Sequence, residues 1–311
     1  MEIYWDIDNI FQKTPTVLTV GTFDGVHLGH QAILKQLVAS ADSLGAASTL
    51  ITFEPHPQFI VPREQRNSIQ LLSTIEEKIS YLSQTGLSRL VVTSFTPAFA
   101  AMTAEDFVAD ILLDKLHMQK IIVGHDHSFG KDRLGNFELL RRLGLKYHFQ
   151  VETVPPVYNG SEIISSTKLR QYLLEGHLDQ VQKCLGRDYS IEGQIVKGDQ
   201  RGHDLGFPTA NLKPHSQYKL VPKIGVYASR AIIEGGSFPS VTYIGPRPTF
   251  NMSHKVIEVH IPRFNRNLYG VDMEVQLVKF IRDDARFDTV PELVKQIERD
   301  VVQAMELLKA Q

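Results

Sequence analysis

Residues Val17 to Leu34 read VLTVGTFDGVHLGHQAIL, and this stretch predicts a strand, a turn and a helix in succession. Its first four residues are apolar or β-branched, a composition that favours an extended strand. Gly21, Asp24 and Gly25 follow as turn residues. Apolar residues then recur at three- and four-residue spacing, as they do on one face of a helix. A strand that turns directly into a helix points free backbone N–H groups above the strand end, which suits a phosphate.

Two histidines stand three residues apart where this helix is expected to begin. His27 and His30 therefore share one face of it. Two imidazoles aimed at a phosphate can neutralise charge that develops on the phosphoryl oxygens in a transition state. Two other interpretations stay open: a metal site, which needs a third ligand nearby, and an ordinary turn that binds no ligand.

Length and composition predict a globular protein of two domains. A chain of 311 residues is longer than one hydrophobic core usually holds. The hydrophobic share of 42% and the charged share of 22% are those of soluble globular proteins. The net charge of −2 provides no field for a nucleic-acid backbone, so nucleic acid is not an expected partner.

Cysteine usage and the lack of long apolar segments predict a cytoplasmic protein. The one cysteine, Cys184, excludes an intramolecular disulfide and fits a reducing compartment. The first residues lack the basic and then apolar order of a signal peptide, so none is expected. No apolar run approaches the length of a membrane span, so no membrane partner is expected either.

Apolar strands alternate with amphipathic helices in the first half of the chain. Beyond the opening turn, the predicted strands are 48–53, 89–93, 120–123 and 148–154. The predicted helices are 74–82, a segment beginning at Thr103, and 139–143. Pro55 and Pro57 are expected to stop both strand and helix after residue 53. Such alternation implies a parallel sheet with helices on both faces, whose ligands bind at the carboxyl ends of the strands.

The second half has the pattern of an antiparallel barrel or sandwich. Short alternating segments separated by Gly, Pro and Asn predict strands at 192–196, 225–233, 241–244, 256–261 and 272–280. An amphipathic helix is predicted at 172–184, and a final helix that packs on the barrel is predicted from about Pro291. Residues 186–189 are the expected linker between a domain at 1–185 and a domain at 186–311.

Polar residues follow the predicted strand ends of the first half. His56 lies in FEPHP, and alone it indicates a surface or hydrogen-bonded histidine. Asp126, after the strand 120–123, is either a turn residue or an acceptor for ribose hydroxyls. The stretch ISSTKLR at 164–170 opens a helix. Its side chains can cap that helix or bind phosphate oxygens, and the residues concerned are Ser165, Ser166, Thr167 and Arg170.

A glycine-rich stretch in the second half, GDQRGHDLGFPTANL at 198–212, indicates a phosphate loop or an ordinary β-loop. Its glycines, Gly198 and Gly206 among them, permit close approach to phosphate. Thr209 and Asn211 offer oxygen ligands that suit Mg²⁺. Because these two ligands are neutral, a metal held there needs phosphate oxygens to supply charge, as ATP does.

Four motifs of the first half, GTFDGVHLGH, FEPHP, VGHDHSFG and ISSTKLR, occur in the order typical of one family. This half resembles the FMN adenylyltransferase module of bacterial bifunctional riboflavin kinase/FAD synthetases, with the HxGH signature of nucleotidyltransferases. The resemblance implies a Rossmann-like fold, stabilisation of adenylyl transfer by His27 and His30, and a ribose contact by Asp126. It also implies a binding site that includes Gly21, Phe23, Asp24, Gly25, Gly29, His56, Ser165, Ser166, Thr167 and Arg170.

GFPTAN in the second half resembles the signature of the riboflavin kinase barrel. Three further motifs resemble the same family: GPRPTF at 245–250, EVH at 258–260 and LYG at 268–270. The resemblance implies that Glu258 takes the proton from the ribityl 5′-hydroxyl. By itself, Glu258 indicates only a solvent-facing carboxylate on a strand. Arg282 either contacts ligand or pairs with an acid. The other implied binding residues are Gly198, Gly206, Phe207 and Pro208, with Thr209 and Asn211 on Mg²⁺.

The two resemblances together imply an enzyme that makes FMN from riboflavin and ATP, and then FAD from FMN and a second ATP. Flavoproteins are the implied acceptors of the FAD. Four positions depart from the family pattern: His125, His127, His203 and Tyr243. These departures keep open a flavin-binding regulator in which one or both sites are inactive. A nucleotidyltransferase for another mononucleotide is the other alternative, although it leaves the GFPTAN barrel without a role. The oligomeric state stays open.

Overall fold

The computed structural model describes residues 1–10, 14–61, 69–125, 128–131, 134–198, 202, 205–246 and 255–309. The chain divides into two compact units, Met1–Ser165 and Ser166–Gln311, and each has a main sheet of its own. The domain boundary expected from the sequence, between residues 185 and 186, stays a prediction.

The first unit contains a six-stranded sheet. Its strands are β1 Glu2–Trp5, β2 Thr16–Val20, β3 Ala47–Glu54, β4 Arg89–Ser94, β5 Met118–Gly124 and β6 Gln150–Val154. They follow the order β1-β4-β3-β2-β5-β6, and every neighbouring pair is parallel. The predicted parallel sheet is confirmed. The edge strand β1 is not predicted from the sequence. This strand has only four residues, and most of them are exposed, so they give no clear pattern.

Helices pack on both faces of this sheet. They are α1 Leu28–Leu44, α2 Pro57–Ile60, α3 Ile75–Ser83, α4 Pro97–Ala100, α5 Ala104–Asp106, which continues in π-helical turns over Phe107–Lys115, and α6 Phe137–Tyr147. Val17 of β2 packs in one apolar cluster with Leu34 of α1. Its neighbour Leu18 packs in a second cluster that contains Phe107. Strand β2 is therefore buried on both sides, as parallel strands usually are.

The expectation that the prolines of FEPHP exclude a helix is wrong at Pro57. Pro57 is the first residue of α2, and His56 caps that helix. A proline at the first helical position lacks only an N–H group that the helix leaves unbonded, so it fits there. A short hairpin, β7 Tyr158–Asn159 and β8 Glu162–Ile163, completes the first unit.

The second unit contains a closed antiparallel barrel. Of the two architectures that the sequence leaves open, the barrel is therefore the correct one. Its strands are β9 Tyr189–Val196, β10 Ala210–Pro214, β11 Gly225–Ile233, β12 Gly236–Pro246, β13 Lys255–His260 and β14 Asp272–Arg282. They close in the order β10-β13-β12-β11-β14-β9. Strand β10 begins inside GFPTAN, where the sequence predicts only a loop. The sequence predicts Tyr189 in the linker, but in the structure it is the buried first residue of β9.

The described residues of the second unit include the helices α7 Ser166–Glu175, α8 Leu178–Leu185 and α9 Val290–Lys309. The single helix predicted at 172–184 is wrong, because Gly176 takes a left-handed conformation with φ of 83° and ends α7. The predicted final helix is confirmed. Ala304 and Leu308 of α9 pack with Val226 of β11 and Val241 of β12.

Candidate active sites

The turn after β2 lies where the strand order of the first sheet reverses. Strands β3 and β4 lie on one side of β2, and β5 and β6 lie on the other. Such a reversal leaves a crevice at the carboxyl ends of the two central strands, where open α/β sheets bind ligands. The predicted phosphate turn therefore opens on this crevice. Asp126, the predicted ribose contact, comes two positions after β5 and lies outside the described residues.

The two histidines of the turn are stacked on each other. His27 is the N-cap of α1, and its Nδ1 accepts a hydrogen bond from the backbone N–H of His30 at 3.3 Å. The two ring centroids are 3.6 Å apart with 16° between the ring planes, and the Phe23 ring lies 4.6 Å from that of His30. A Cβ on Gly29 would lie 3.1 Å from the His27 ring, so glycine leaves room for this stack.

The surroundings of His30 favour its neutral form. Burial, and then the charges of His27 and Lys78, hold the pKa of His30 well below the usual histidine value of 6.5. Its Nδ1 is buried and has no hydrogen-bond partner in the part of the chain that the structure describes. A neutral imidazole keeps one N–H donor, which can bind a phosphate oxygen without bringing a fixed charge.

Asp24 and Gly25 hold the shape of the turn. Asp24 is buried, and its two carboxylate oxygens accept hydrogen bonds from the backbone N–H groups of Leu72 at 3.1 Å and Ser73 at 3.0 Å. The N–H of Gly25, which has a φ of 82°, donates to the Ser73 hydroxyl at 3.0 Å. Gly21 donates its N–H to the carbonyl of Ile51 at 3.0 Å. Ligand contacts of these three predicted residues stay predictions.

His56 and the ISSTKLR stretch are placed as helix-terminal residues. Nδ1 of the buried His56 accepts from the backbone N–H of Gln58 at 3.2 Å, which fits the hydrogen-bonded interpretation of this histidine. Ser165 ends the first unit. Ser166, Thr167 and Arg170 lie in the first turns of α7, which groups with the second unit. Their predicted role in a phosphate site stays a prediction.

The second unit brings the predicted base and the predicted magnesium ligands together. Asn211 of β10 and Tyr243 of β12 each pair directly with Glu258 of β13. Directly paired residues of antiparallel strands share one face, so these three side chains form a row. The hydroxyl of Thr209 donates to the Glu258 carboxylate at 3.3 Å. Thr209, Asn211 and Glu258 thus form an oxygen-rich group on the barrel.

The glycine-rich loop leads into this group. A Cβ on Gly198 would lie 2.2 Å from the Asn211 side chain, so only glycine fits there without moving Asn211. Gly206 has a φ of 83°, a conformation that glycine adopts without strain. The Phe207 ring packs edge-on against His260, whose Nδ1 lies 2.9 Å from the carbonyl oxygen of Pro208. His203 and GPRPTF after Pro246 lie outside the described residues.

Comparison with known proteins gives one family for both sites. A family model described as FAD synthetase matches residues 10–168, and one described as riboflavin kinase matches residues 185–308. The bifunctional riboflavin kinase/FMN adenylyltransferase of Buchnera aphidicola subsp. Schizaphis graminum is 36% identical over 291 residues, which are 92% of this chain and 92% of that protein. The chain belongs to the bifunctional riboflavin kinase/FMN adenylyltransferase family.

Other relatives of this bifunctional family cover even more of the chain. The Escherichia coli protein of the same name is 35% identical over 309 residues, which are 98% of this chain and 97% of that one. A crystal structure described as a macrolide-efflux protein of Streptococcus pneumoniae is 28% identical, with a TM-score of 0.87 and 96% of each chain covered. That description applies to the Streptococcus protein, and the likeness shows a shared fold.

Across the described ranges of this family member, every helix is too short or too polar to cross a bilayer.

The barrel group of this riboflavin kinase family member fits Mg²⁺ as an oxygen-ligand site. Its hydroxyl, amide and carboxylate donors are of the hard type that Mg²⁺ prefers. Among the described residues, no group of three or more His, Cys, Asp or Glu side chains could hold a metal. A metal at Thr209 and Asn211 that shares ATP phosphates stays a prediction.

Two side chains near the group of Thr209, Asn211 and Glu258 have partners within the second unit. Arg282 pairs with the buried carboxylate of Asp300, and its Nη2 lies 2.7 Å from Oδ2 of Asp300. Of the two roles that the sequence leaves open for Arg282, the structure shows pairing with an acid. The Tyr243 hydroxyl donates to Asp284 at 3.1 Å. Burial, and then the charge of Asp284, raises the pKa of Tyr243 to about 12, so this side chain stays neutral. A ligand contact of Arg282 stays a prediction.

Sequence reasoning misses two residues beside the turn between β2 and α1. Lys78 of α3 is buried, and its charge acts on His30. Thr52 of β3 donates its hydroxyl hydrogen to the carbonyl of Thr22, inside the turn, at 3.1 Å. In the sequence, Lys78 has the pattern of an ordinary solvent-facing lysine in an amphipathic helix. Its absence from every motif leaves no signal that could identify it.

Proposed function

We propose that the turn between β2 and α1 carries out adenylyl transfer to FMN and that the Thr209–Asn211–Glu258 group carries out phosphorylation of riboflavin. The observation that supports this assignment is that each unit holds its own group of reactive side chains. One is the stacked His27 and His30 at the reversal of the parallel sheet. The other is the carboxylate of Glu258 beside two neutral oxygen ligands.

In the adenylyl transfer, an oxygen of the FMN phosphate attacks the α-phosphorus of ATP. A new P–O bond forms, the bond to the bridging oxygen breaks, and pyrophosphate leaves. The attacking phosphate is already an anion, so the step needs no general base. His27 uses Nδ1 as an acceptor, so in the neutral form its proton is on Nε2, and this N–H is the donor that the proposal assigns to a phosphate oxygen. Preorganised donors of this kind lower the barrier by stabilising developing charge.

In the kinase step, the carboxylate of Glu258 accepts the proton of the ribityl 5′-hydroxyl. The hydroxyl oxygen then attacks the γ-phosphorus of ATP, and ADP leaves. The hydrogen bond from Thr209 restricts the orientation of the Glu258 carboxylate. Mg²⁺, bound by Thr209, Asn211 and phosphate oxygens, would neutralise the phosphate charge.

Several finer expectations accompany this proposal. The substrates are ATP, riboflavin and FMN, and FAD passes to flavoproteins. A single cysteine in the sequence fits a cytoplasmic protein. The domains at 1–185 and 186–311, with one activity each, also belong to the proposal.

The direct test is to incubate the purified chain with riboflavin, ATP and Mg²⁺ and to separate the flavins by chromatography. FMN should appear first and FAD after it. A flavin-binding regulator with inactive sites would leave riboflavin unchanged. A nucleotidyltransferase for another mononucleotide would leave supplied FMN unconverted, and either result would contradict the proposal.

A further inference from the structure

A buried lysine lies beside the adenylyltransferase turn and has no part in the chemistry described above. Lys78 of α3 is only 4% exposed. Its Nζ lies 3.4 Å from Oγ1 of Thr52, within reach of a weak hydrogen bond. Thr52 in turn donates to the carbonyl oxygen of Thr22 at 3.1 Å. Lys78 is thus connected, through one side chain, to the backbone of the turn that precedes His27.

The charge of Lys78 is balanced by two carboxylates. Burial lowers the pKa of Lys78, and attraction by Asp24 and then by Glu54 opposes that effect. Asp24 lies in the turn itself, and Glu54 is the last residue of β3. A buried ammonium is tolerated where carboxylates and hydrogen bonds compensate it, and here Asp24 and Glu54 offset part of the burial effect, because the pKa of Lys78 is still lowered.

This balance matters because the turn has to receive a triphosphate. Asp24 is a buried carboxylate within the turn, and Glu54 is a second carboxylate at the same edge of the sheet. Without a nearby cation, both would repel the phosphates of ATP. Lys78 is a buried cation that both carboxylates attract.

We propose that Lys78 is a positioning residue for adenylyl transfer, whose ammonium compensates Asp24 and Glu54 and whose bond to Thr52 supports the turn that carries His27 and His30. Lys78 acts through these neighbours and does not itself touch the reacting atoms. The inference rests on the adenylyl transfer proposed for the first unit.

The test compares two variants of the full chain with wild type. Lys78→Met removes both the charge and the hydrogen bond, whereas Lys78→Gln removes the charge and keeps a donor of similar size. With FMN, ATP and Mg²⁺, both variants should lose at least about tenfold in kcat/KM for ATP, with riboflavin kinase turnover unchanged. Turnover of riboflavin by the same sample shows that the barrel unit is folded.

A second readout separates a charge effect from a loss of structure. Within the described part of the chain, the charges that lower the pKa of His30 are those of His27 at the start of α1 and Lys78 on α3. Because Lys78 lowers the pKa of His30, its replacement by Gln should move the NMR titration of the His30 ring to higher pH. The acid limb of the pH profile for FAD formation should move in the same direction.

The matched control is Lys120→Met in the same unit. Lys120 lies in the amino-terminal half of β5, away from the carboxyl ends of the strands, and pairs with Glu152 at 2.5 Å. Its loss removes a half-buried ion pair and should leave FAD formation within about twofold of wild type.

Three results would overturn the role of Lys78. They are FAD formation within about twofold of wild type in Lys78→Met, an unshifted His30 titration in Lys78→Gln, and an equal loss of FAD formation in Lys120→Met. A wild-type chain that makes no FAD would contradict the proposed adenylyl transfer instead. The His30 titration would still decide the electrostatic role of Lys78 in that case.

Discussion

His27 and His30 form one unit, since the imidazole rings stack at 3.6 Å while Nδ1 of His27 accepts the backbone N–H of His30. The hydrogen bond fixes the ring of the first histidine at the start of α1. Burial of the second ring lowers its pKa, which keeps it neutral. Both rings are therefore positioned before any phosphate binds, which is the condition for effective stabilisation of a transition state.

Replacement of either histidine should abolish most FAD formation and leave FMN formation nearly intact. For His27→Ala or His30→Ala we expect a fall of about a hundredfold, on the order of 3 kcal/mol, because one preorganised donor is lost. The measurement is FAD formation from supplied FMN, beside FMN formation from riboflavin.

The matched control for this pair is His148→Asn. His148 is exposed at the end of α6 in a left-handed conformation, which asparagine also adopts, so both activities should persist. Wild-type FAD formation in a chain that lacks both His27 and His30 would remove the pair from the mechanism.

Acidification should destabilise the first unit through His30. The pKa of His30 is well below 6.5 in the folded chain, whereas in the unfolded chain it has its ordinary value of about 6.5. Between these values the unfolded state binds more protons, so stability rises with pH and is lost as the pH falls through about 6.5. Urea unfolding followed by fluorescence of Trp5, the one tryptophan, measures this in the first unit.

The contribution of His30 to that pH dependence is isolated by substitution. His30→Gln should flatten the slope between about pH 7 and about pH 5.5, by up to about 1.4 kcal/mol per pH unit. His148→Asn should leave the slope as it is. An identical slope in His30→Gln and wild type would show that burial of this ring has no effect on its protonation.

Gly198→Ala should impair the kinase alone. The added Cβ would lie 2.2 Å from the Asn211 side chain, so Asn211 must move away from its place beside Glu258. We expect a higher Mg²⁺ requirement and a fall of about tenfold or more in riboflavin phosphorylation, because ligand geometry is strict for Mg²⁺. Adenylylation of supplied FMN is the internal control. Unchanged Mg²⁺ dependence would argue against Asn211 as a ligand.

The pair between Arg282 and Asp300 should contribute to the stability of the barrel unit. Asp300 is 3% exposed, and Asp300→Asn leaves the guanidinium without its buried counter-charge, at a cost of about 3–5 kcal/mol. The exposed pair of Lys279 with Asp179 is the matched control, and Asp179→Asn should change stability by less than about 1 kcal/mol. Equal changes in the two unfolding free energies would contradict this difference.

The sequence predicts the elements whose pattern is local. Strand β2, the turn and α1 follow from apolar spacing and glycine, and the strands of the barrel follow from alternation. Strand β10 is missed because its short run borders a glycine-rich loop, and it is defined by pairing with β9 and β13. The break at Gly176 is missed because the flanking apolar pattern continues across it.

Some residues of the candidate sites can likewise be predicted from the sequence, whereas others cannot. His27, His30, Thr209, Asn211 and Glu258 are found through motifs. Lys78 and Asp300 are not, because a buried charge is indistinguishable in sequence from an exposed one on an amphipathic helix. Their partners, Asp24 and Arg282, come from distant parts of the chain, so only the folded structure shows the pairs.

Glu258→Gln separates the two reactions that we assign to the two units. This change keeps the size of the side chain and removes its basicity, so it tests chemistry rather than packing. The measurement supplies riboflavin or FMN separately, with ATP and Mg²⁺, and quantifies both products. We predict that riboflavin phosphorylation falls about a hundredfold to ten-thousandfold while FAD formation from FMN persists. Equal loss of both activities, or undiminished phosphorylation, would contradict the account.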